Sequence, residues 1–103
     1  MLYISSQDSI VFLLQPKFNN KNYRLSDDEK IVMIILGEKG EIEYNSFYSS
    51  QDIEYLKVDI DGTQLNGKYY YYFYYKNIAT GEKYNISSPT PVIFFRSVTT
   101  IDG

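Results

Sequence analysis

Seven consecutive aromatic residues, Tyr69-Tyr70-Tyr71-Tyr72-Phe73-Tyr74-Tyr75, constrain this chain more than any other feature. Aromatic side chains lose rotamer freedom against the preceding turn of a helix but fit the pleated surface of a strand. Successive side chains of a strand point to opposite faces. Tyr69, Tyr71, Phe73 and Tyr75 therefore form one stripe, and Tyr70, Tyr72 and Tyr74 form the other. A half-buried strand needs one apolar face, so the second stripe calls for a covering layer or a partner molecule.

A chain of 103 residues, 44% hydrophobic and 17% aromatic, has enough apolar material for one core and no room for two. A single domain over 1–103 is expected, with 99–103 as a short tail. There is no cysteine and no histidine, and tryptophan is absent as well. Disulfides and thiolate metal sites are therefore excluded. The net charge of −3 and the scattered basic residues argue against nucleic-acid binding, which needs a basic footprint. The start, Met1-Leu2-Tyr3-Ile4-Ser5-Ser6, has neither the basic region nor the apolar core of a signal peptide. Ile10 to Leu14 and Ile31 to Leu36 are too short to span a bilayer. The expectation is a soluble protein made without a cleaved export signal.

Short hydrophobic stretches bounded by turn residues indicate an all-β chain. Ser9 to Gln15 reads as the first strand, ended by Pro16. Ser26 and Glu29 have capping-box spacing, but the β-branched run Ile31 to Leu36 reads better as a buried strand. Ile42 to Tyr48 alternates, with Ile42, Tyr44 and Phe47 inward. In Ile53 to Ile60, the residues Leu56, Val58 and Ile60 share a face. Ala79-Thr80-Gly81-Glu82 closes the aromatic strand into a hairpin with Lys83 to Ile86, and Val92 to Val98 supplies the last strand. Seven or eight strands at this spacing predict a two-sheet sandwich, because one sheet would leave a face uncovered.

Leu65-Asn66-Gly67-Lys68-Tyr69 is the most specific pattern. Leu-x-Gly-x-Tyr ahead of a strand looks like the tyrosine corner of Greek-key sandwiches, in which the Tyr hydroxyl bonds back to nearby backbone. Leu65, Gly67 and Tyr69 are thus assigned a structural role. Asp59-Ile60-Asp61-Gly62-Thr63 resembles an acidic calcium loop but lacks the further ligands, so a strand-ending turn is the reading. The common bases and nucleophiles, His and Cys, are missing, and no nucleophile elbow or phosphate loop occurs. No catalytic residue, cofactor or metal is expected, and the chain reads as a non-enzyme.

Tyr70, Tyr72 and Tyr74 admit three readings. They are covered by the chain itself, they form a protein interface, or they stack on a sugar or single strand. The acidic balance disfavours nucleic acid and the absence of Trp disfavours sugar, which leaves a protein interface as the stronger functional reading. Val92-Ile93-Phe94-Phe95 is a candidate edge strand for pairing with another chain.

The order of these pieces resembles small immunoglobulin-like domains of phage tail and baseplate proteins, above all the N-terminal domain of upper baseplate proteins of phages of Gram-positive bacteria. The matching segments are Gln7-Asp8-Ser9-Ile10-Val11-Phe12, Tyr23 to Val32, Thr63 to Tyr71, Gly81 to Ile86, and the close on Val98-Thr99. Gln7 stands where the family has Gly, and Tyr72 where it often has Asp. The resemblance implies an immunoglobulin-like Greek-key β-sandwich. It also implies a structural or adaptor component of a virion or phage-tail-like particle, made in the host cytoplasm. Its partners would be other virion proteins or further copies of itself, with no membrane insertion. A small phage-encoded inhibitor of a host protein, or a carbohydrate-binding module, are the alternatives.

Overall fold

The computed structural model describes residues 2–6, 9–48 and 55–96. Eleven strand segments run in chain order: β1 (Leu2–Ser6), β2 (Ile10–Leu14), β3 (Lys17–Phe18), β4 (Lys21–Asn22), β5 (Glu29–Gly37), β6 (Gly40–Asn45), β7 (Phe47–Tyr48), β8 (Leu56–Ile60), β9 (Gly67–Asn77), β10 (Lys83–Asn85) and β11 (Thr90–Arg96). One 3-10 turn, Gly62–Gln64, separates β8 from β9. The segments outnumber the seven or eight strands expected, since β3, β4 and β7 have only two residues each.

A six-stranded sheet has the order β1-β11-β9-β5-β6, with β10 also on β9, and a three-stranded sheet has the order β2-β8-β7. The two sheets share one core. Met33 and Ile35 of β5, Val58 and Ile60 of β8, Val92 and Phe94 of β11, and Leu65 are buried together. Tyr69, Tyr71 and Phe73 pack against them from β9, and Ile10, Phe12 and Leu14 from β2. The arrangement is all-β and compatible with a β-sandwich. Each such aliphatic side chain, taken fully out of water, contributes about 1.5–3 kcal/mol before chain entropy is set against it.

The aromatic strand β9 is bonded along both edges. On one side it pairs with β5 from Leu36↔Tyr70 to Glu29↔Asn77. On the other it meets β11 over its first half and β10 over its second. The pairs Asn85↔Tyr74 and Thr90↔Tyr71 leave four residues, 86–89, opposite Tyr72 and Phe73. The excess of two residues keeps the faces in register, since side chains alternate with period two. The Ser87 hydroxyl fills the gap in the ladder, accepting the Phe73 N–H at 3.0 Å. The turn between β9 and β10 is held by Asn77, whose side-chain oxygen accepts the N–H groups of Ala79 and Thr80.

Three expectations need correction. Val92 to Phe95 is not an edge: β1 lies parallel along β11, from Leu2↔Val92 to Ser6↔Arg96, and β9 takes the other side. The earlier start of the first sheet, at Leu2, was hidden because a parallel pairing of distant segments leaves no local turn signal. The stretch from Ile42 to Tyr48 is not one strand. Ser46 breaks it, donating both its N–H and its hydroxyl to the Ile31 carbonyl. Before the break β6 belongs to the large sheet, and after it β7 belongs to the small one. Phe47, expected inward, is 44% exposed as a result. The residues Val98 to Gly103, read as a strand end and tail, lie outside the described residues.

Gly37, at the end of β5, lies directly against the corner tyrosine. A Cβ there would sit 2.6 Å and 2.8 Å from two carbons of the Tyr69 ring. That ring is hemmed in by Phe94, with centroids 5.7 Å apart and planes near perpendicular. Gly37→Ala is expected to cost about 1–3 kcal/mol through overpacking, read from the urea midpoint. In a Tyr69→Leu background the same substitution should cost much less, since the clashing ring carbons are gone.

Candidate functional site

The outer stripe of β9 changes character along its length. Tyr74 is only 4% exposed, although among the described residues the small sheet packs on the opposite face of the large one. It joins Val32 and Ile34 of β5 in a small buried cluster, with Tyr72 packed against it. Its hydroxyl lies 3.3 Å from Glu43 Oε1, and the Lys83 ammonium sits 4.3 Å from its ring centroid. Burial first, then the Glu43 carboxylate, push the Tyr74 hydroxyl above the usual tyrosine range. Burial likewise raises Tyr72, with Glu41 and Glu43 adding to it. The two tyrosines, with Lys83 and Glu43 at the Tyr74 ring and hydroxyl, thus roof Val32 and Ile34 from within the same sheet.

Tyr70 lies outside this roof and is 39% exposed. On the same face it adjoins Leu36 of β5 and Pro91 of β11. Continuing across β11 and β1, Ile93 is paired with Tyr3 and Phe95 with Ser5. Tyr3 is 64% and Phe95 41% exposed. Tyr70, Pro91, Ile93, Phe95 and Tyr3 therefore share the outer face. Lys68, opposite Ile93, lies among them, with its ammonium 5.6 Å from the Tyr70 ring centroid. Among the described residues, β1 is the last strand in the order of the large sheet. Of the three outer tyrosines, the structure brings only Tyr70 into this area. Tyr3 went unnoticed in the sequence, and Phe95 was read only as part of an edge strand, because the side each shows rests on the pairing of β1 with β11.

The segment Leu65 to Tyr69 forms a closed corner. Leu65 is fully buried in the core, and Gly67 has a φ of 106°, a region that a side chain rarely tolerates. The Asn66 N–H points back to the Tyr69 hydroxyl at 3.3 Å. Upstream, Asp61 caps the 3-10 turn by accepting the Thr63 hydroxyl at 2.6 Å and its N–H at 3.1 Å. These bonds, the hydroxyl first, hold the Asp61 carboxyl below its ordinary range.

A second feature lies at the opposite end of β9. A cleft of about 750 Å³ opens between the β3–β4 hairpin and the β9–β10 end, with Phe18, Tyr23, Tyr75 and Tyr84 among its walls. Tyr75 and Tyr84 stack with centroids 4.8 Å apart. Glu29 ties the walls together. Its Oε1 accepts the Tyr23 hydroxyl at 2.7 Å and the Ser26 N–H at 2.9 Å, and its Oε2 accepts the Tyr75 hydroxyl at 2.7 Å. The Ser26 amide and then the Tyr75 hydroxyl lower the Glu29 carboxyl from 4.5 to about 2. Both tyrosine hydroxyls are raised in turn by their bond to it. The loop ahead of Glu29 is anchored from the other sheet as well: the Tyr48 hydroxyl accepts the Leu25 N–H, and the Arg24 guanidinium stacks 4.3 Å above the Tyr48 ring. The Ser26-x-x-Glu29 spacing was visible in the sequence as a capping box. It closes a turn before a strand instead of opening a helix.

No protein-family model, curated protein or solved structure matches this chain.

The Glu29 hub sets a stability test. Its folded carboxyl titrates near 2 and its ordinary value is 4.5, so its contribution is complete above about pH 4.5 and fades as the pH falls toward 2. Glu29→Gln should lose about 1–2 kcal/mol near neutral pH, a figure kept low because the group still meets solvent. Urea midpoints measured across the acid range should fall less steeply for the variant than for the parent. Asp61 supplies part of the remaining slope. An unchanged acid slope would remove Glu29 from the account.

Proposed function

We propose that this chain is a structural or adaptor β-sandwich of a phage virion or phage-tail-like particle, acting through protein–protein contacts. The observation that carries the reading is the largely apolar outer area of Tyr70, Pro91, Ile93, Phe95 and Tyr3, with Tyr3 64% and Phe95 41% exposed. Aromatic residues are enriched at interface cores. Tyrosine brings large, rigid contact area at low entropic cost. The interface therefore centres on Tyr70 and extends toward β1, with Tyr72 and Tyr74 stiffening the sheet beneath it.

An immunoglobulin-like Greek-key topology is part of the proposal. It is supported by the strand order. If β2, β5, β6, β7, β8, β9 and β11 take the places of strands B, C, C′, D, E, F and G, the large sheet reads G-F-C-C′ and the small one B-E-D. The position of the Leu65–Tyr69 corner, just ahead of the strand in place F, fits the same assignment. What favours a phage particle over other settings is the sequence resemblance together with this order.

Replacing both Tyr70 and Phe95 by Ser tests the interface. Partly exposed positions such as these usually change stability by less than about 0.5–1 kcal/mol, so the variant should fold, as checked by circular dichroism. The unaltered chain is expected in purified particles in stoichiometric copies by mass spectrometry, and the folded variant is expected to be missing from them. Normal incorporation of the folded variant would overturn the interface. Absence of the unaltered chain from particles would favour the inhibitor reading instead.

A further inference from the structure

We propose that the cleft between the β3–β4 hairpin and the β9–β10 end binds an arginine side chain presented by an extended segment of another protein. This site is separate from the outer face of the large sheet and stands or falls without it.

The argument begins with how this chain treats its own cations. Arg24 lies 4.3 Å from the Tyr48 ring centroid, Lys83 4.3 Å from Tyr74, and Lys68 5.6 Å from Tyr70. Attraction of a cation to the electron-rich face of a ring is a repeated device here. In the cleft, Phe18, Tyr23 and Tyr84 carry no such cation among the described residues. The rings are nevertheless exposed, Tyr84 by 53% and Phe18 by 66%.

Charge points the same way. Glu29 and Glu82 both line the cleft, against Lys17 as its one cation among the described residues. Glu29 is ionised throughout the physiological range. Its Oε2 accepts the Tyr75 hydroxyl, and a carboxylate oxygen with two lone pairs can take a further donor. The Glu82 side chain has no hydrogen bond or ion pair among the described residues. An aromatic wall with ionised carboxylates beside it suits a guanidinium, which is planar, weakly hydrated and able to stack and donate at once. The cleft's volume, about 750 Å³, exceeds one side chain, and apolar Leu14, Pro16 and Ile86 line the remainder. Those residues suit apolar side chains two positions either side of the arginine, which share its face in an extended strand, and this sets the partner as a peptide segment.

The test titrates the isotopically labelled full chain with acetyl-Leu-Ala-Arg-Ala-Leu-amide and follows backbone amides by NMR. Shifts are expected at Phe18, Tyr23, Glu82 and Tyr84, with millimolar or tighter affinity. The matched citrulline peptide, neutral and nearly isosteric, should bind at least about fivefold more weakly, as loss of one cation–π contact implies. Glu82→Gln and Tyr84→Ala should each weaken the arginine peptide by a similar factor. Both positions are exposed, so the variants should keep the parent spectrum elsewhere. Equal binding of the citrulline peptide would reduce the site to an apolar groove and overturn the proposal. So would equal binding of a peptide with lysine in place of the arginine, shifts confined to other surfaces, or no shift at millimolar peptide.

Discussion

Everything in this fold depends on β9 being gripped on both edges while carrying rings on both faces. Its pairing with β5 spans eight residues, Glu29 to Leu36, and fixes the side to which every ring points. A slip of one residue would move Tyr69, Tyr71 and Phe73 out of the core and the roofing tyrosines into it. Four features pin the register against that slip: Gly37 beneath Tyr69, the corner at Leu65, the Ser87 hydroxyl on the Phe73 amide, and the Glu29 carboxylate on Tyr75. They are spread along the length of the strand, so no half of it can shift alone.

The outer face shows how an apolar strand surface is covered by side chains of its own sheet. Val32 and Ile34 are as buried as core residues, yet their cover comes from the side chains of their own sheet. Tyrosine suits this role because its ring lies over an aliphatic neighbour while its hydroxyl reaches a carboxylate at the margin. The Glu43 and Lys83 side chains hold the Tyr74 ring from opposite partners, a carboxylate at the hydroxyl and an ammonium over the ring. The roof ends at Tyr70. Beyond it Tyr3, Ile93 and Phe95 share the face with Lys68, Tyr3 and Phe95 stand exposed, and there the interaction reading rests.

Much of this was legible because it is local. The period of two separated the inner from the outer rings, placed Leu56, Val58 and Ile60 on one face, and located the turn between β9 and β10. The Leu65-x-Gly67-x-Tyr69 spacing was visible because the Asn66 amide, the Tyr69 hydroxyl it meets and the positive φ of Gly67 lie within a few residues. What the sequence left unread is long-range. Leu2–Ser6 gains its place only by parallel pairing with a segment ninety positions later, so Val92 to Phe95 looked like an edge. The change of sheet at Ser46 depends on the Ile31 carbonyl, which no motif near Ser46 announces. The cleft was invisible for the same reason: Phe18, Tyr23, Tyr75 and Tyr84 meet only once three separate segments have come together.

Amide hydrogen exchange measures the central claim directly. If β9 is the doubly paired strand that fixes both layers, the amides of Tyr70 to Tyr75 and of Ile31 to Ile35 should exchange only through global unfolding. Their exchange free energies should then match the stability from urea denaturation, and the Phe73 amide, bonded to Ser87, should be as slow as its neighbours. Exchange of the Tyr70 to Tyr75 amides at a free energy well below global stability would contradict the account.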